Sequence, residues 1–203
     1  MKSKIFIMGL VILLAGCSAE QTEIDAKQIE QRDGVVYKLD KRTPLTGSVT
    51  AWYTNGQKER QAQYQDGLIV GPEVSWYANG QKQSEIIYQN GLKNGIAQFW
   101  SAGGQKRSES SYKNDQLDGQ TTLWYENGQK KSEVNYKNGK KHGLETVWAV
   151  VGEKQSEINY IDGEMDGLAV HWHGDGKKSE ANYKKGRLDG VDTLWYENTQ
   201  KMR

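Results

Sequence analysis

A 24-residue beat governs this chain. All seven tryptophans, Trp52, Trp76, Trp100, Trp124, Trp148, Trp172 and Trp195, stand 24 residues apart except for a last step of 23. Tyr64, Tyr88, Tyr112, Tyr136, Tyr160 and Tyr183 keep the same beat, as do Gly47, Gly71, Gly95, Gly119, Gly143, Gly167 and Gly190. A fixed period of this size belongs to stacked supersecondary units, none of which buries its apolar face alone.

Within a unit, Asn55-Gly56, Asn79-Gly80 and Asn127-Gly128 separate two short runs; Gly103-Gly104, Val151-Gly152 and Asp175-Gly176 take the same place elsewhere. Asn-Gly in that setting predicts a tight type I′ hairpin turn, with positive φ at both central residues. A second turn (Asp66-Gly67, Asn90-Gly91, Asn138-Gly139, Asp162-Gly163 or Lys185-Gly186) lies four residues ahead of the unit-starting glycine and hands the chain to the next hairpin. The strand between the two turns alternates: Ser84, Ile86 and Tyr88 share one face, Glu85 and Ile87 the other. On the preceding strand Trp76 shares a face with Val74, while Tyr77 points to the other side. The expected fold is therefore all-β: a continuous antiparallel meander of hairpin units, about thirteen or fourteen strands forming an elongated, twisted, trough-like sheet. Its structural core is expected to be the tryptophan row and the Tyr64 to Tyr183 row, set side by side as aromatic ladders.

The opening reads differently. MKSK followed by an apolar run from Ile5 to Leu14 is too short to span a bilayer and has the form of a secretory signal, residues 1–16. Leu14-Ala15-Gly16-Cys17 resembles a bacterial lipobox. That resemblance implies cleavage before Cys17, acylation of Cys17 with fatty chains such as palmitate, and a membrane-anchored lipoprotein; two or three chains hold where one holds only marginally. Ser18, rather than aspartate, is what the resemblance associates with the outer membrane, facing the periplasm, in a Gram-negative cell. Residues 17–32 read as the lipidated N-terminus and a polar tether, and residues 33–203 as the repeat domain. In it, a cap over 33–46 precedes units from 47, 71, 95, 119, 143 and 167 and a half unit over 190–203. Cys17 is the single cysteine, so no intramolecular disulfide is available. Loss of Lys2 and Lys4 with the signal leaves 25 basic against 26 acidic side chains, a balance that points away from nucleic acid.

The repeated Trp-Tyr-x-Asn-Gly-Gln-Lys, the x-Ser-Glu-x-x-Tyr-x-Asn-Gly after it and the glycine four residues on resemble the bacterial variant of the MORN repeat, in proteins grouped as the YwqK family. Departures are Asn114-Asp115, Ala149-Val150-Val151, His173-Gly174-Asp175 and a one-residue deletion near Gly176-Lys177. The resemblance implies a scaffold, and its family name implies an antitoxin that neutralises a partner toxin.

Repetition argues against catalysis, which needs unlike groups in unlike environments. Glu85, Glu109, Glu133, Glu157 and Glu180 are a row of equivalents, expected to be a solvated face paired with Lys or Arg on neighbouring strands. His171 and His173 flank Trp172, and with His142 in a loop they lack the ligand set of a zinc site. No catalytic residue, metal or cofactor is expected. The candidate partner-binding residues are Tyr53, Tyr77, Phe99, Tyr125 and Tyr196, with Leu123 and Leu194 close by. The chain thus reads as a membrane-anchored, non-enzymatic scaffold for a protein partner, an antitoxin or immunity protein among the possibilities. The alternative is a cell-wall carbohydrate binder that uses its aromatic rows.

Overall fold

The computed structural model describes residues 23–195 apart from 175. Cys17, the signal segment and Tyr196 lie outside the described residues, as do Lys201 and Arg203 at the chain's end. Strand β1 is Glu23–Asp25; a 3-10 turn, Ala26–Gln28, leads to β2, Ile29–Arg32, and β3, Val35–Lys38. The repeats follow as β4 Gly47–Trp52, β5 Lys58–Gln65, β6 Leu68–Trp76, β7 Lys82–Gln89, β8 Leu92–Trp100 and β9 Lys106–Lys113. They continue as β10 Gln116–Trp124, β11 Lys130–Lys137, β12 Lys140–Trp148, β13 Lys154–Ile161, β14 Glu164–Trp172 and β15 Lys178–Lys184. Two short pieces, β16 Arg187–Leu188 and β17 Thr193–Trp195, both pair with β15 and so stand for one interrupted strand.

From β4 to β16 every strand pairs with its sequence neighbour, the meander expected from the repeat. Among the described residues the sheet has 15 strands and is open, with β1 at one end and β16 and β17 at the other. One exception breaks the antiparallel rule: β1 pairs parallel to β4, Ile24 opposite Val49. The expected tether over residues 17–32 is therefore shorter, because from Glu23 onward the chain is folded. Ile24, an isolated apolar residue in a polar stretch, is 7% exposed and packs with Val36, Leu45, Val49, Ala62 and Tyr64. Beside it Thr50 is fully buried and donates its hydroxyl to Glu23 Oε1.

The two kinds of turn exchange the roles read from the sequence. Asn55, Asn79 and Asn127 have no positive φ; only the following glycines do, Gly56 at +83°, for instance. Gly56 N–H donates to Tyr53 O, and Tyr53 N–H to Gln57 O, which makes a longer loop with glycine at its left-handed position. The Asn55 side chain holds it by accepting from Gln57 N–H (3.1 Å). The turn with both central residues at positive φ is the second one, Asp66 +50° with Gly67 +77°, and Gln65 pairs directly with Leu68 across it. At Asn114-Asp115 the aspartate adopts +65° in place of glycine, and its carboxylate accepts from Lys93 N–H.

The unit-starting glycine lies opposite the tyrosine of the next strand, Gly71 to Tyr88 and Gly95 to Tyr112, at positive φ. The register slips beside it, so these glycines are bulge positions that bend the strand. A Cβ on Gly119 would stand 3.0 Å from Ser111 Cβ, so the close approach needs glycine as much as the dihedral does.

Register also decides which side chains share a face, and here the expectation of adjacent aromatic ladders is overturned. Tyr88 lies with Glu73, Ile86, Ser75 and Ser84, whereas Trp76 alternates with Val74 and Glu85 on the opposite side. The tyrosine and tryptophan rows are on opposite faces of one layer. The indoles are not a closed core: Trp52 is 42% exposed and Trp76, Trp100, Trp124, Trp148, Trp172 and Trp195 are half-buried. Apart from Tyr64, which is buried, the buried positions of the repeats are smaller, among them Ala62, Ile86, Ala97, Val134, Ala169 and Ala181 on the tyrosine face, and Thr50, Thr122, Thr146 and Val170 on the tryptophan face.

A fully buried indole costs about 3–5 kcal/mol to truncate; a half-buried one should cost about 1–2 kcal/mol, in proportion to the area it shields. Trp124→Ala is expected in that lower range by chemical denaturation. Removing residues 95–118 should leave a shorter, cooperatively folded sheet, because the repeat strands make most of their contacts with neighbouring strands and the clasps reach only the adjacent unit; circular dichroism and thermal melting check this.

Candidate functional site on the two faces of the sheet

The repeat signature Tyr-x-Asn-Gly-Gln is explained by what each turn does to the next. Tyr53 Oη donates to Trp76 O, Tyr77 Oη to Trp100 O and Tyr125 Oη to Trp148 O, each at 2.8 Å. One step along, Asn55 Nδ2 donates to Ala78 O, Asn79 to Ala102 O and Asn127 to Val150 O, again at 2.8 Å. Gln57, Gln81 and Gln129 lie across the glycine of the following turn; a Cβ on Gly104 would meet Gln81 Oε1 at 2.6 Å. Each turn thereby clasps its neighbour by two side-chain hydrogen bonds and one glycine-dependent contact. Three of the candidate partner-binding residues, Tyr53, Tyr77 and Tyr125, are half-buried and have their hydroxyls committed to this clasp. Ser101, Ala149 and His173 occupy the tyrosine position elsewhere: alanine has no donor, Ser101 Oγ accepts from Gln105 N–H and His173 Nε2 lies against Ser179 Oγ.

The tryptophan face carries a second ladder. Lys82, Lys106, Lys130 and Lys154 place their ammonium groups 5.3–6.0 Å from the ring centroids of Trp100, Trp124, Trp148 and Trp172, the indoles of the next unit. The same lysines pair with Glu85, Glu109, Glu133 and Glu157. The glutamate row is thus partnered within its own strand, not across to neighbouring strands as its sequence suggests. A residue three positions from its partner reaches the same face because a bulge lies between them: Trp76 faces Lys82 but Ser75 faces Ser84. In the last hairpin the one-residue deletion removes that bulge. Trp172 faces Lys178 and His171 faces Ser179 without slip, and Lys178 pairs with Glu180, two positions on, at 2.7 Å. Glu109 is held below the ordinary carboxylate range by hydrogen bonds from Lys106 and Gln98.

Between the lysine–glutamate pairs and the unit-starting glycines runs a row that the sequence reading did not single out. Ile96, Leu144 and Leu168 are 46%, 42% and 41% exposed on the tryptophan face, at the position after the glycine. Equivalent places hold Pro72 and Gln120. The signal was present as an apolar residue in every unit but one from residue 72 on, opposite Ile87, Ser111, Asn159 or Asn182 rather than opposite the buried floor.

On the tyrosine face, Phe99 is 38% exposed and lies in a row with Leu123, Val147 and His171, interleaved with Ser84, Ser108, Ser132, Ser156 and Ser179. Among the described residues, Phe99 is the one candidate of the partner-binding set whose side chain stays open on this face. Arg60 pairs with Glu73 between Tyr64 and Tyr88; Lys141 pairs with Glu145 at 2.6 Å and stands over Tyr160. Burial pushes the phenols of Tyr64, Tyr88 and Tyr160 above their ordinary value. A cleft of about 330 Å³ opens where β2 and β3 lie over this face, lined by Ile29, Gln31, Val36, Leu68, Tyr64 and Tyr88 among others. Among the described residues no three His, Cys, Asp or Glu side chains come together as a metal set. His173 Nε2 instead lies 3.3 Å from Ser179 Oγ.

Tyr125→Phe removes one hydrogen bond per molecule and is expected to cost about 1 kcal/mol, more if Trp148 O is left without water; urea denaturation measures it. The raised phenols favour the protonated state in the fold, so their contribution is complete below the unfolded value of 10.0 and is lost as pH rises through the folded values. Stability measured above pH 10.0 should therefore fall more steeply in the parent chain than in Tyr64→Phe.

The MORN repeat variant model matches four stretches of the chain, residues 45–66, 69–90, 93–114 and 117–138. No curated protein matches the chain.

Proposed function

We propose that the chain is a lipid-anchored, non-enzymatic scaffold of the bacterial envelope that binds a protein partner along the tryptophan face of its repeat sheet. The MORN repeat variants agree with a repeat-based binding scaffold. The observation that carries the choice of face is the exposed Ile96, Leu144 and Leu168 row, rimmed by the pairs of Lys82, Lys106, Lys130 and Lys154 with glutamate. An apolar strip with a polar rim is the usual make-up of a protein interface. One unit spans two strands, so the anchors recur at about 10 Å, a spacing suited to a long contact made of small repeated ones.

A carbohydrate would need open indole faces, and here lysine ammonium groups lie over them. An enzyme would need unlike acid and base groups; the repeated carboxylates on this face are each paired with a lysine. The anchor is assigned to Cys17 through its lipobox resemblance, and the partner class to a toxin, neutralised by an antitoxin or immunity scaffold, through the resemblance of the repeats.

Cys17→Ser should move the protein from the membrane fraction to the soluble one, and unchanged fractionation removes the anchor. Crosslinking in intact cells should trap a protein partner with the parent chain, and the variant carrying Ile96→Glu, Leu144→Glu and Leu168→Glu should lose it while melting as before. Retention on isolated cell-wall material with release by free sugar would overturn the protein-binding reading.

A further inference from the structure

The β2–β3 hairpin is a two-stranded sheet of its own, seated on the tyrosine face. On its β3 side the edge is filled. Val36 N–H donates to Gly67 O and Val36 O accepts from Leu45 N–H, each at 2.9 Å, and Tyr37 bridges Pro44. Both polar groups of Val36 therefore point away from β2. In an antiparallel ladder two residues directly opposite share that state, so Gln31, opposite Val36, points its N–H and C=O away from β3. By alternation Ile29 does the same. Among the described residues no backbone group pairs with Gln31 on that side; the Ile29 N–H closes the 3-10 turn Ala26–Gln28 onto Ala26 O, which leaves the Ile29 C=O open beside it. This edge borders the cleft: Ile29, Glu30 and Gln31 form one wall, and Leu68, Tyr88 and Gly91 belong to the lining opposite.

We propose that the β2 edge accepts an extended segment of a partner protein as a third strand, seating one apolar side chain of that segment in the cleft above Tyr88. An unpaired edge is a template for a strand. The same hairpin already holds the extended Pro44 and Leu45 segment on its other edge, so the geometry for strand addition is present in the molecule. Ile29, Val36, Leu68 and Ile69 give the cleft an apolar part beside its polar lining, and the charged groups within it are already matched, Arg60 with Glu73 and Glu30 with Arg32. The cleft therefore asks for an uncharged side chain. The inference rests on the protein-binding reading and adds a second, strand-type contact to it.

Gln31→Pro tests it, because proline removes the outward N–H, fits an edge strand and leaves the bonds to β3 intact. The purified full-length chain is used to select binders from a displayed library of random peptides, and the selected peptides are then titrated onto variants. Peptides with an apolar residue flanked by β-formers should be enriched and should bind Gln31→Pro about tenfold more weakly, the effect of losing a backbone hydrogen bond and its neighbour. Retained amide protection at Val36 in that variant shows that the hairpin persists. Leu68→Arg, which fills the cleft, should abolish binding. Peptides that bind both variants as they bind the parent overturn the strand-addition site while leaving the tryptophan-face scaffold standing. Failure to enrich any peptide overturns it as well.

Discussion

The fold depends on a hydrogen bond from one unit's tyrosine to the backbone carbonyl of the next unit's tryptophan. A single-layer sheet has no opposing layer to hold its strand ends in register, so the ends must be tied to one another. Tyr53, Tyr77 and Tyr125 do this with their hydroxyls, and Asn55, Asn79 and Asn127 repeat it two residues on. Each clasp adds two hydrogen bonds, about 1 kcal/mol apiece, at the unit border. At the opposite rim the second residue of each two-residue turn donates its N–H to the strand that follows the previous turn on that rim, Gly91 to Ile69 O, Asp115 to Lys93 O and Gly139 to Leu117 O. Both rims of the sheet are therefore fastened by backbone carbonyl acceptors, which any residue supplies, and by donors that the repeat must specify.

Between those rims the two faces solve the burial problem in different ways. The tyrosine face keeps its floor small, with Ala97 and Ala169 almost inaccessible, and lets the phenols and the Arg60–Glu73 and Lys141–Glu145 pairs stand around it. The tryptophan face lays half-buried indoles beside lysines that are also held by glutamates, so one cation serves two partners. Exposed ion pairs contribute little singly. Repeated across the sheet they cover the indoles, restrict what can reach the rings and leave the aliphatic row of Ile96, Leu144 and Leu168 as the accessible apolar surface.

Much of this was legible in the sequence. The period of tryptophan, tyrosine and glycine, the two turns per unit and the alternation from Ser84 to Tyr88 all survive in the structure. The partition of aromatic residues between faces did not follow from them, since joining Trp76 to Tyr88 across the intervening turn requires the cross-strand register. That register contains a bulge between Ser75 and Trp76 and another at the unit glycine. A bulge reverses the count of alternation, and the one beside Trp76, unlike the one at the unit glycine, leaves no distinctive residue. The turn types were misassigned for a related reason: Asn79-Gly80 is the end of a five-residue connection, and its asparagine serves as a side-chain clamp rather than as a left-handed residue. Ile24 could not be recognised as a core residue, since the parallel strand that buries it is too short to show a pattern. Conversely, Ala149, a local departure from the repeat, marks with Ser101 the unit borders where the tyrosine is missing.

The border from Ser101 to Trp124 allows the clasp to be built where it is missing. Gly103 has no positive φ, and a Cβ there meets only Ser101 Oγ, at 3.7 Å, so asparagine fits. The double substitution Ser101→Tyr with Gly103→Asn should supply donors to Trp124 O and Glu126 O and raise the unfolding free energy by about 1–2 kcal/mol in urea. If the variant is folded and no more stable than the parent chain, the clasp does not hold the sheet together.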